Sequence, residues 1–78
     1  MSRLYQTFRE RFREAVKADG RPATKLARRS GYSVYHIRAT LRGEKNNTTL
    51  ACVEVMAETL KVDVAWLLGL DGPKDEPQ

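Results

Sequence analysis

Residues 23–43 of this chain, ATKLARRSGYSVYHIRATLRG, predict two short helices joined by a tight turn. Such a pair leaves few ways to arrange the remaining residues, because they must cover its apolar side. The first helix carries Leu26 and Ala27 on one side among basic residues, a pattern typical of an amphipathic helix. Gly31 can adopt a positive φ and so ends this helix, and the hydroxyl group of Ser33 can cap the next one.

The short turn also predicts that the two helices cross closely. Ala27 is small and Gly31 has no side chain, and we expect a bulky residue at either position to push the helices apart. Ile37 and Leu41 follow in the second helix at a spacing of four residues, which places them on one face. Two helices connected in this way form a helix-turn-helix unit.

A repeat of apolar residues at every fourth position predicts an amphipathic first helix from about residue 4 to residue 18. We expect this apolar stripe to pack behind the helix pair. Its members are Leu4, Phe8, Phe12 and Val16. A second row at the same spacing is basic and predicts a solvated surface, with contact to a phosphate as the alternative. That row contains Arg9, Arg13 and Lys17. Between this helix and the pair, Pro22 fits the first turn of the next helix.

The second half of the chain predicts two further helices. Thr48 or Thr49 can cap a fourth helix, and Asp63 can cap a short fifth helix that Gly69 ends. The apolar face of the fourth helix is predicted to contain Leu50, Val53, Met56, Ala57 and Leu60. The fifth helix is predicted to contain Val64, Trp66, Leu67 and Leu68. The predicted fold class is therefore all-α.

A chain of 78 residues has room for one domain. We expect residues 1–70 to form that domain and residues 71–78, which combine acids with Pro and Gly, to form a flexible acidic tail. No apolar run approaches the roughly 20 residues that span a bilayer, and the N-terminus lacks the apolar centre of a signal peptide. We therefore expect a cytoplasmic protein that does not enter a membrane. Cys52 is the only cysteine, so an intramolecular disulfide is excluded.

Charge is distributed unevenly along the chain. Residues 1–45 hold 12 Lys and Arg against four Asp and Glu, a net charge of +8, whereas residues 46–78 hold two against six, a net charge of −4. A basic region that coincides with a helix-turn-helix unit indicates a polyanionic partner. Solvated helix faces are the alternative explanation of the charge alone.

The helix pair resembles the DNA-binding segment of the phage repressor and Cro (Xre-like) family. The family pattern is Leu-Ala, a Gly four residues after the Ala, and an Ile or Val six residues later. Leu26, Ala27, Gly31 and Ile37 match that pattern in register, and the likeness extends from about residue 4 to residue 69. The resemblance implies a compact five-helix bundle of the lambda-repressor-like type, with the helix-turn-helix at helices 2 and 3.

Four positions depart from the family pattern. Ala23 stands where many members carry a glutamine that contacts a phosphate, and Leu41 stands where glutamate is frequent. Ser30 and Thr40 occupy places that are usually apolar. These residues leave the backbone plan unchanged but predict different packing behind the second helix of the pair.

The resemblance implies that the second helix of the pair lies in the major groove of DNA, where its N-terminal residues contact base edges. The residues at those positions are Ser33, Val34, Tyr35 and Arg38. Arg38 can donate two parallel hydrogen bonds to guanine. Val34 can instead belong to the core, because it stands three residues before Ile37.

Contacts to DNA phosphates are expected from residues around this helix. They are Thr24, Lys25, Arg28, Arg42, Lys45, Asn46 and Asn47. Arg29 can point away from the DNA, and His36 either reaches the DNA backbone or lies in water. A small domain reads few base pairs, so the resemblance implies a homodimer on an inverted repeat. The expected dimer interface is Trp66, Leu67 and Leu70, with the core as the alternative for the first two.

Two other classes of function remain open. The first is a protein-interaction module, for example an antitoxin that holds a toxin, or an adaptor, and Ala23 in place of the usual glutamine supports it. The second is an enzyme, which we do not expect. Cys52 has no evident general base near it in the sequence, and we find neither a nucleophile–base pair nor a phosphate-binding loop. With one His and one Cys, we also expect no metal site and no cofactor. Repressor and antitoxin are not distinguished by the residues.

Overall fold

The computed structural model describes residues 3–45 and 48–70, and in these ranges the chain forms five helices and no β-strand. The helices are α1 (Arg3–Asp19), α2 (Ala23–Ser30), α3 (Val34–Arg42), α4 (Leu50–Leu60) and α5 (Val64–Leu67). The predicted all-α class is thereby confirmed. None of these helices has the length and apolar character needed to cross a bilayer. The predicted tail, residues 71–78, and the predicted phosphate contacts Asn46 and Asn47 lie outside the described residues.

A single core joins the five helices. Phe8 and Phe12 of α1 lie at its centre with their rings stacked at a centroid distance of 5.6 Å. Every other helix adds at least one side chain with almost no exposed surface, and these are Leu26, Ile37, Val53, Met56 and Leu67. α1 packs against α3, α4 and α5, and α2 joins the bundle through α3 and α4.

Two residues predicted for this core are exposed instead. Leu4 is 51% exposed and Leu50 is 74% exposed. Leu4 lies in the first turn of α1 and Leu50 is the first residue of α4, so both lie at helix ends, beyond the part of the bundle that neighbouring helices cover. They form the rim of a shallow apolar groove whose floor includes Tyr5, Phe8 and Val53. The prediction that Leu4 and Leu50 face the core was therefore wrong.

Side-chain caps begin three of the helices, as predicted. Ser33, Thr49 and Asp63 each accept a hydrogen bond from the backbone N–H three residues further on, at 3.0, 3.1 and 3.2 Å. Thr49 rather than Thr48 is therefore the cap of α4. Pro22 precedes α2 with an extended backbone, at φ −70° and ψ 158°, and so lies one position before the first turn in which we expected it.

The polar residues at usually apolar positions of the helix pair are satisfied locally. Thr40 is buried and donates its hydroxyl hydrogen to the carbonyl of His36 at 2.9 Å. Ser30 donates to the carbonyl of Ala27 and accepts from the backbone N–H of Tyr32. Both hydroxyl groups thereby avoid the penalty of burial without a hydrogen bond.

Gly31 ends α2 in a left-handed conformation with φ +84°, and its N–H donates to the carbonyl of Ala27. The predicted helix end is confirmed, but the predicted crowding is wrong. A Cβ atom built on Gly31 would meet no heavy atom within 4 Å. The backbone conformation, and not the close approach of the two helices, is therefore the reason for a glycine at this turn.

We expect Gly31→Ala to lower the free energy of unfolding by about 1 kcal/mol, because a Cβ atom disfavours the left-handed conformation. Gly31→Asn should cost less than Gly31→Ala, since asparagine tolerates this conformation and open space surrounds the site. Urea unfolding of both variants measures the difference. If crowding were the reason for the glycine, the larger asparagine would be the more damaging residue.

Gly69 provides the matched comparison. It has a similar φ of +82°, but a Cβ atom there would collide with the methyl group of Thr7. Gly69→Asn should therefore have no advantage over Gly69→Ala.

Candidate nucleic-acid interface

Burial of one side of α3 determines which residues it presents to solvent. Ile37 has no exposed surface, and Ala39 and Thr40 are also buried. Tyr35 and Arg38, which lie on the opposite side, are exposed, and the Tyr35 side chain keeps 69% of its surface accessible. Arg42 lies one turn further along the same side. α3 therefore presents one phenol ring and two guanidinium groups outward.

The four residues predicted to contact bases differ in how exposed their side chains are and in whether their polar atoms already have a partner. Tyr35 and Arg38 are exposed, and Arg38 forms no salt bridge with any residue in 3–45 or 48–70. Ser33 is exposed, but its oxygen already accepts the cap hydrogen bond from the N–H of His36. Val34 is half-buried and packs against the core, which is the role left open for it by the sequence.

Arg42 has a local partner. Its Nε lies 2.8 Å from a carboxylate oxygen of Glu44, and a second guanidinium nitrogen donates to the other oxygen. Both side chains are about half exposed. The hydrogen bond from Arg42 lowers the pKa of Glu44 below its ordinary value. A phosphate at Arg42 would therefore compete with this carboxylate.

Two residues of the basic row of α1 contact the end of α3, although Arg13 and Lys17 are exposed, as expected for a solvated surface. Arg13 donates a hydrogen bond to the carbonyl of Leu41, and the guanidinium group of Arg9 lies against Gly43. Both cations therefore lie at the C-terminal end of α3, where the helix dipole favours positive charge. They connect α1 to the end of α3. Sequence periodicity predicted the basic row, but it gave no sign that two of its residues contact the end of α3.

α2 carries the remaining predicted phosphate contacts. Thr24, Lys25 and Arg28 are exposed, and the two cations have no salt bridge within the described ranges. The first turn of α2 contains no acidic residue. Lys45, beyond α3, is half-buried. The helix pair thus presents exposed cations without a salt bridge on α2, at Lys25 and Arg28, and on α3, at Arg38.

A cluster that the sequence did not predict holds the other side of α3. The Nε2 atom of His36 lies 3.4 Å from the Sγ atom of Cys52 on α4, and the ring of Tyr32 stacks on the His36 ring at a centroid distance of 4.8 Å. The contact with Cys52 does not show in the sequence, because 16 positions separate the histidine from the cysteine. His36 therefore packs between helices. The expectation that it could simply lie in water is wrong.

This cluster also removes one argument against catalysis, since Cys52 does have a nearby base. The thiol is nevertheless only 3% exposed, so a substrate cannot reach it in this conformation. Within the described residues, no group of three or more His, Cys, Asp or Glu side chains is arranged to hold a metal ion. The cluster connects α3 to α4 by packing.

The predicted dimer interface is divided between surface and core. Leu70 is 52% exposed, whereas Leu67 has no exposed surface and is therefore a core residue. Trp66 is half-buried, with the guanidinium group of Arg11 5.1 Å from its ring centroid. Arg11 also donates to the Trp66 carbonyl at 2.6 Å. Of the predicted interface, Leu70 and part of Trp66 remain at the surface.

Comparison of the chain with protein-family models, with curated proteins and with solved structures finds no match. The kinship with phage repressors therefore stays a prediction.

Burial of His36 gives a testable pH dependence. Burial is the main reason that its pKa lies below the ordinary value of 6.5, and nearby Lys45 lowers it further. The unfolded chain then takes up a proton at a higher pH than the folded chain. Stability is therefore full above pH 6.5 and decreases as the pH falls towards the lower folded-state pKa.

We expect urea titrations at about pH 7.5 and about pH 5.5 to show a lower free energy of unfolding at the more acidic value. His36→Gln should remove most of this difference, because the chain has no other histidine. An equal decrease in both proteins would contradict the assignment to His36.

Proposed function

We propose that this protein binds double-stranded DNA in a sequence-specific manner through a helix-turn-helix unit formed by α2 and α3, as a transcriptional repressor of phage or bacterial type in the cytoplasm. The observation that carries the proposal is the exposed outer face of α3, where Tyr35 and Arg38 are accessible and Arg38 forms no salt bridge within the described ranges, together with the exposed cations of the adjoining helix α2.

The geometry of α3 suits the major groove. That groove is wide enough to admit one α-helix, and α3 is a short helix whose exposed side carries groups able to contact base edges. The guanidinium group of Arg38 can donate two hydrogen bonds to O6 and N7 of guanine. Tyr35 can contact a phosphate or cover a thymine methyl group. Val34 contributes less than the sequence suggested, because it packs against the core.

Contacts to phosphates would position α3 in the groove. Lys25 and Arg28 lie on the exposed side of α2, so they can reach the phosphates that border the groove while α3 lies within it. Arg42 is a weaker candidate, since Glu44 already neutralises it. These contacts hold the protein on DNA without reading sequence, so their share of the affinity should decrease as salt increases.

A homodimer would supply the specificity that one small domain lacks. Two copies of α3, one helical turn apart on an inverted repeat, would double the number of base pairs that are read. Leu70, 52% exposed, and Val64, 37% exposed, are apolar residues at the surface of the described C-terminal region, and Leu70 belongs to the predicted interface. Because Leu67 is fully buried, Leu70 and the accessible part of Trp66 are what the predicted interface retains.

Selection from a random pool of double-stranded DNA at near-physiological salt tests this function. The parent protein should enrich an inverted repeat, and Arg38→Ala should lose about 1–3 kcal/mol of discrimination at one base pair of each half-site. Arg29→Ala is the matched control, because it removes the same charge from the part of α2 that lines a groove with α4.

The Arg29→Ala protein should keep the parent sequence preference. The proposal fails if no sequence is enriched and all binding disappears as salt is raised, since phosphate attraction alone would then remain.

Leu70→Glu should abolish self-association and weaken binding to the inverted repeat while the fold is kept, because the side chain is largely exposed in the isolated chain. It is a cleaner test than Trp66→Glu, which would also remove the contact with Arg11. Sedimentation equilibrium measures the association. Leu50→Glu adds the same charge at another exposed leucine and should leave association unchanged. If only Leu50→Glu gives a monomer, the dimer uses the groove bordered by Leu4 and Leu50.

A further inference from the structure

A second basic surface lies between α2 and the C-terminal end of α4. Two neighbouring concave regions, with volumes of about 360 and 190 Å³, share Arg21 and Arg29 as lining residues, and we call the two together the α2–α4 groove. Lys25 and Arg28 line its α2 end, and Glu58, Thr59 and Lys61 line its α4 end.

Arg21 forms the floor of this groove and is already neutralised. It donates to both carboxylate oxygens of Asp19, at 2.7 and 3.1 Å, and to the carbonyl of Thr59 at 2.8 Å. The hydrogen bond from Arg21 lowers the pKa of Asp19 below its ordinary value. Arg21 is thus held in place, and it covers a carbonyl group near the end of α4 that would otherwise repel an anion.

The other cations of the groove have no such partner. Lys25, Arg29 and Lys61 form no salt bridge with any residue in the described parts of the chain, and neither does Glu58, the one acidic residue in the lining. Arg42, Arg13 and Arg11 differ, because each of them contacts a carboxylate or carbonyl group of this chain. The cations of the groove other than Arg21 therefore remain available to bind an anion.

Lys61 adds a second unusual feature. It ends α4 at φ +57°, and it is the only residue other than glycine with a positive φ in the described ranges. Glycine adopts this conformation at lower cost. The chain instead places an ammonium group there, on the side of the groove that faces Arg29.

We propose that the α2–α4 groove binds an acidic segment of a partner protein, with carboxylate side chains on Arg29 and Lys61. Guanidinium groups suit carboxylates because they can donate two parallel hydrogen bonds. The concave regions accommodate side chains rather than a duplex. Glu58 would repel the fixed, closely spaced phosphates of a duplex, whereas a flexible peptide can direct individual side chains away from it.

The groove shares part of its lining with the proposed DNA-binding face. Lys25 and Arg28 line the groove and are also proposed phosphate contacts, so the two surfaces overlap at these cations. Arg29 and Lys61, the proposed carboxylate contacts, line the end of the groove formed with Glu58 and Thr59 of α4 and are not among the proposed DNA contacts. The inference therefore rests on Arg29 and Lys61 and does not depend on DNA binding.

Amide shifts in NMR spectra of the full-length, isotope-labelled chain test the proposal. Decaglutamate is one probe, and a duplex that contains any sequence enriched by the selection, or otherwise a random duplex of about 20 base pairs, is the other. Decaglutamate should shift the amides of Lys25, Arg29 and residues 58–61. The duplex, if it binds, should shift those of Tyr35 and Arg38 and leave residues 58–61 unchanged.

Two double variants of equal net charge separate a site from a general charge effect. Arg29→Glu with Lys61→Glu should weaken decaglutamate binding roughly tenfold or more, as expected for the loss of charge-assisted hydrogen bonds. Arg3→Glu with Arg38→Glu should weaken it only about twofold through long-range attraction. Should the first pair fail to fold, Arg29→Gln with Lys61→Gln, against Arg3→Gln with Arg38→Gln, makes the same comparison.

Equal losses in the two double variants, decaglutamate shifts confined to α3, or no decaglutamate binding at low salt would overturn the proposal. Duplex shifts at residues 58–61 would do so as well, since the groove would then belong to a nucleic-acid surface. Failure of the duplex to bind, with decaglutamate still on the groove, would count against the proposed function alone.

Discussion

Complete burial of Ile37 is the constraint on which the useful features of this fold depend. A helix of nine residues has few ways to rotate once one side chain is enclosed. Ile37 contributes to the same core as Phe8 and Phe12, so α1 determines the rotation of α3. Thr40 reinforces it, because its buried hydroxyl group bonds to the helix backbone and needs no partner outside. Tyr35 and Arg38 face outward as a consequence.

The cations of this protein divide into those that stabilise the chain and those that remain available. Arg9 and Arg13 lie at the end of α3, and Arg11 covers a tryptophan ring of the C-terminal region. Arg13 and Arg11 donate hydrogen bonds to backbone carbonyl groups, and Arg11 also lies over a π-face, so these cations take part in packing the chain. Cations that are exposed and form no salt bridge within the described ranges include Lys25, Arg28, Arg29, Arg38 and Lys61. The two proposed anionic partners both draw on this group, and Lys25 and Arg28 belong to both surfaces.

α3 is held from two sides by different kinds of interaction. On one side the apolar core encloses Ile37, and on the other the imidazole ring of His36 lies between Tyr32 and the thiol of Cys52. The first contact is insensitive to pH, while the second contains a group whose buried ring disfavours protonation. The rotation of α3 is thus fixed by the core, and its contact with α4 includes one titratable side chain.

Local structure could be predicted from the residues alone. Helix periodicity and the capping residues Ser33, Thr49 and Asp63 act within a few residues of the chain, so the helix number and the positive φ of Gly31 were predictable. Only the tertiary structure decided which of these residues are available. Burial at helix ends, the partners of the arginines and the His36–Cys52 contact arise between segments distant in sequence, where spacing carries no signal. The α2–α4 groove is such a feature, because two helices must pack before their cations can share one concave surface.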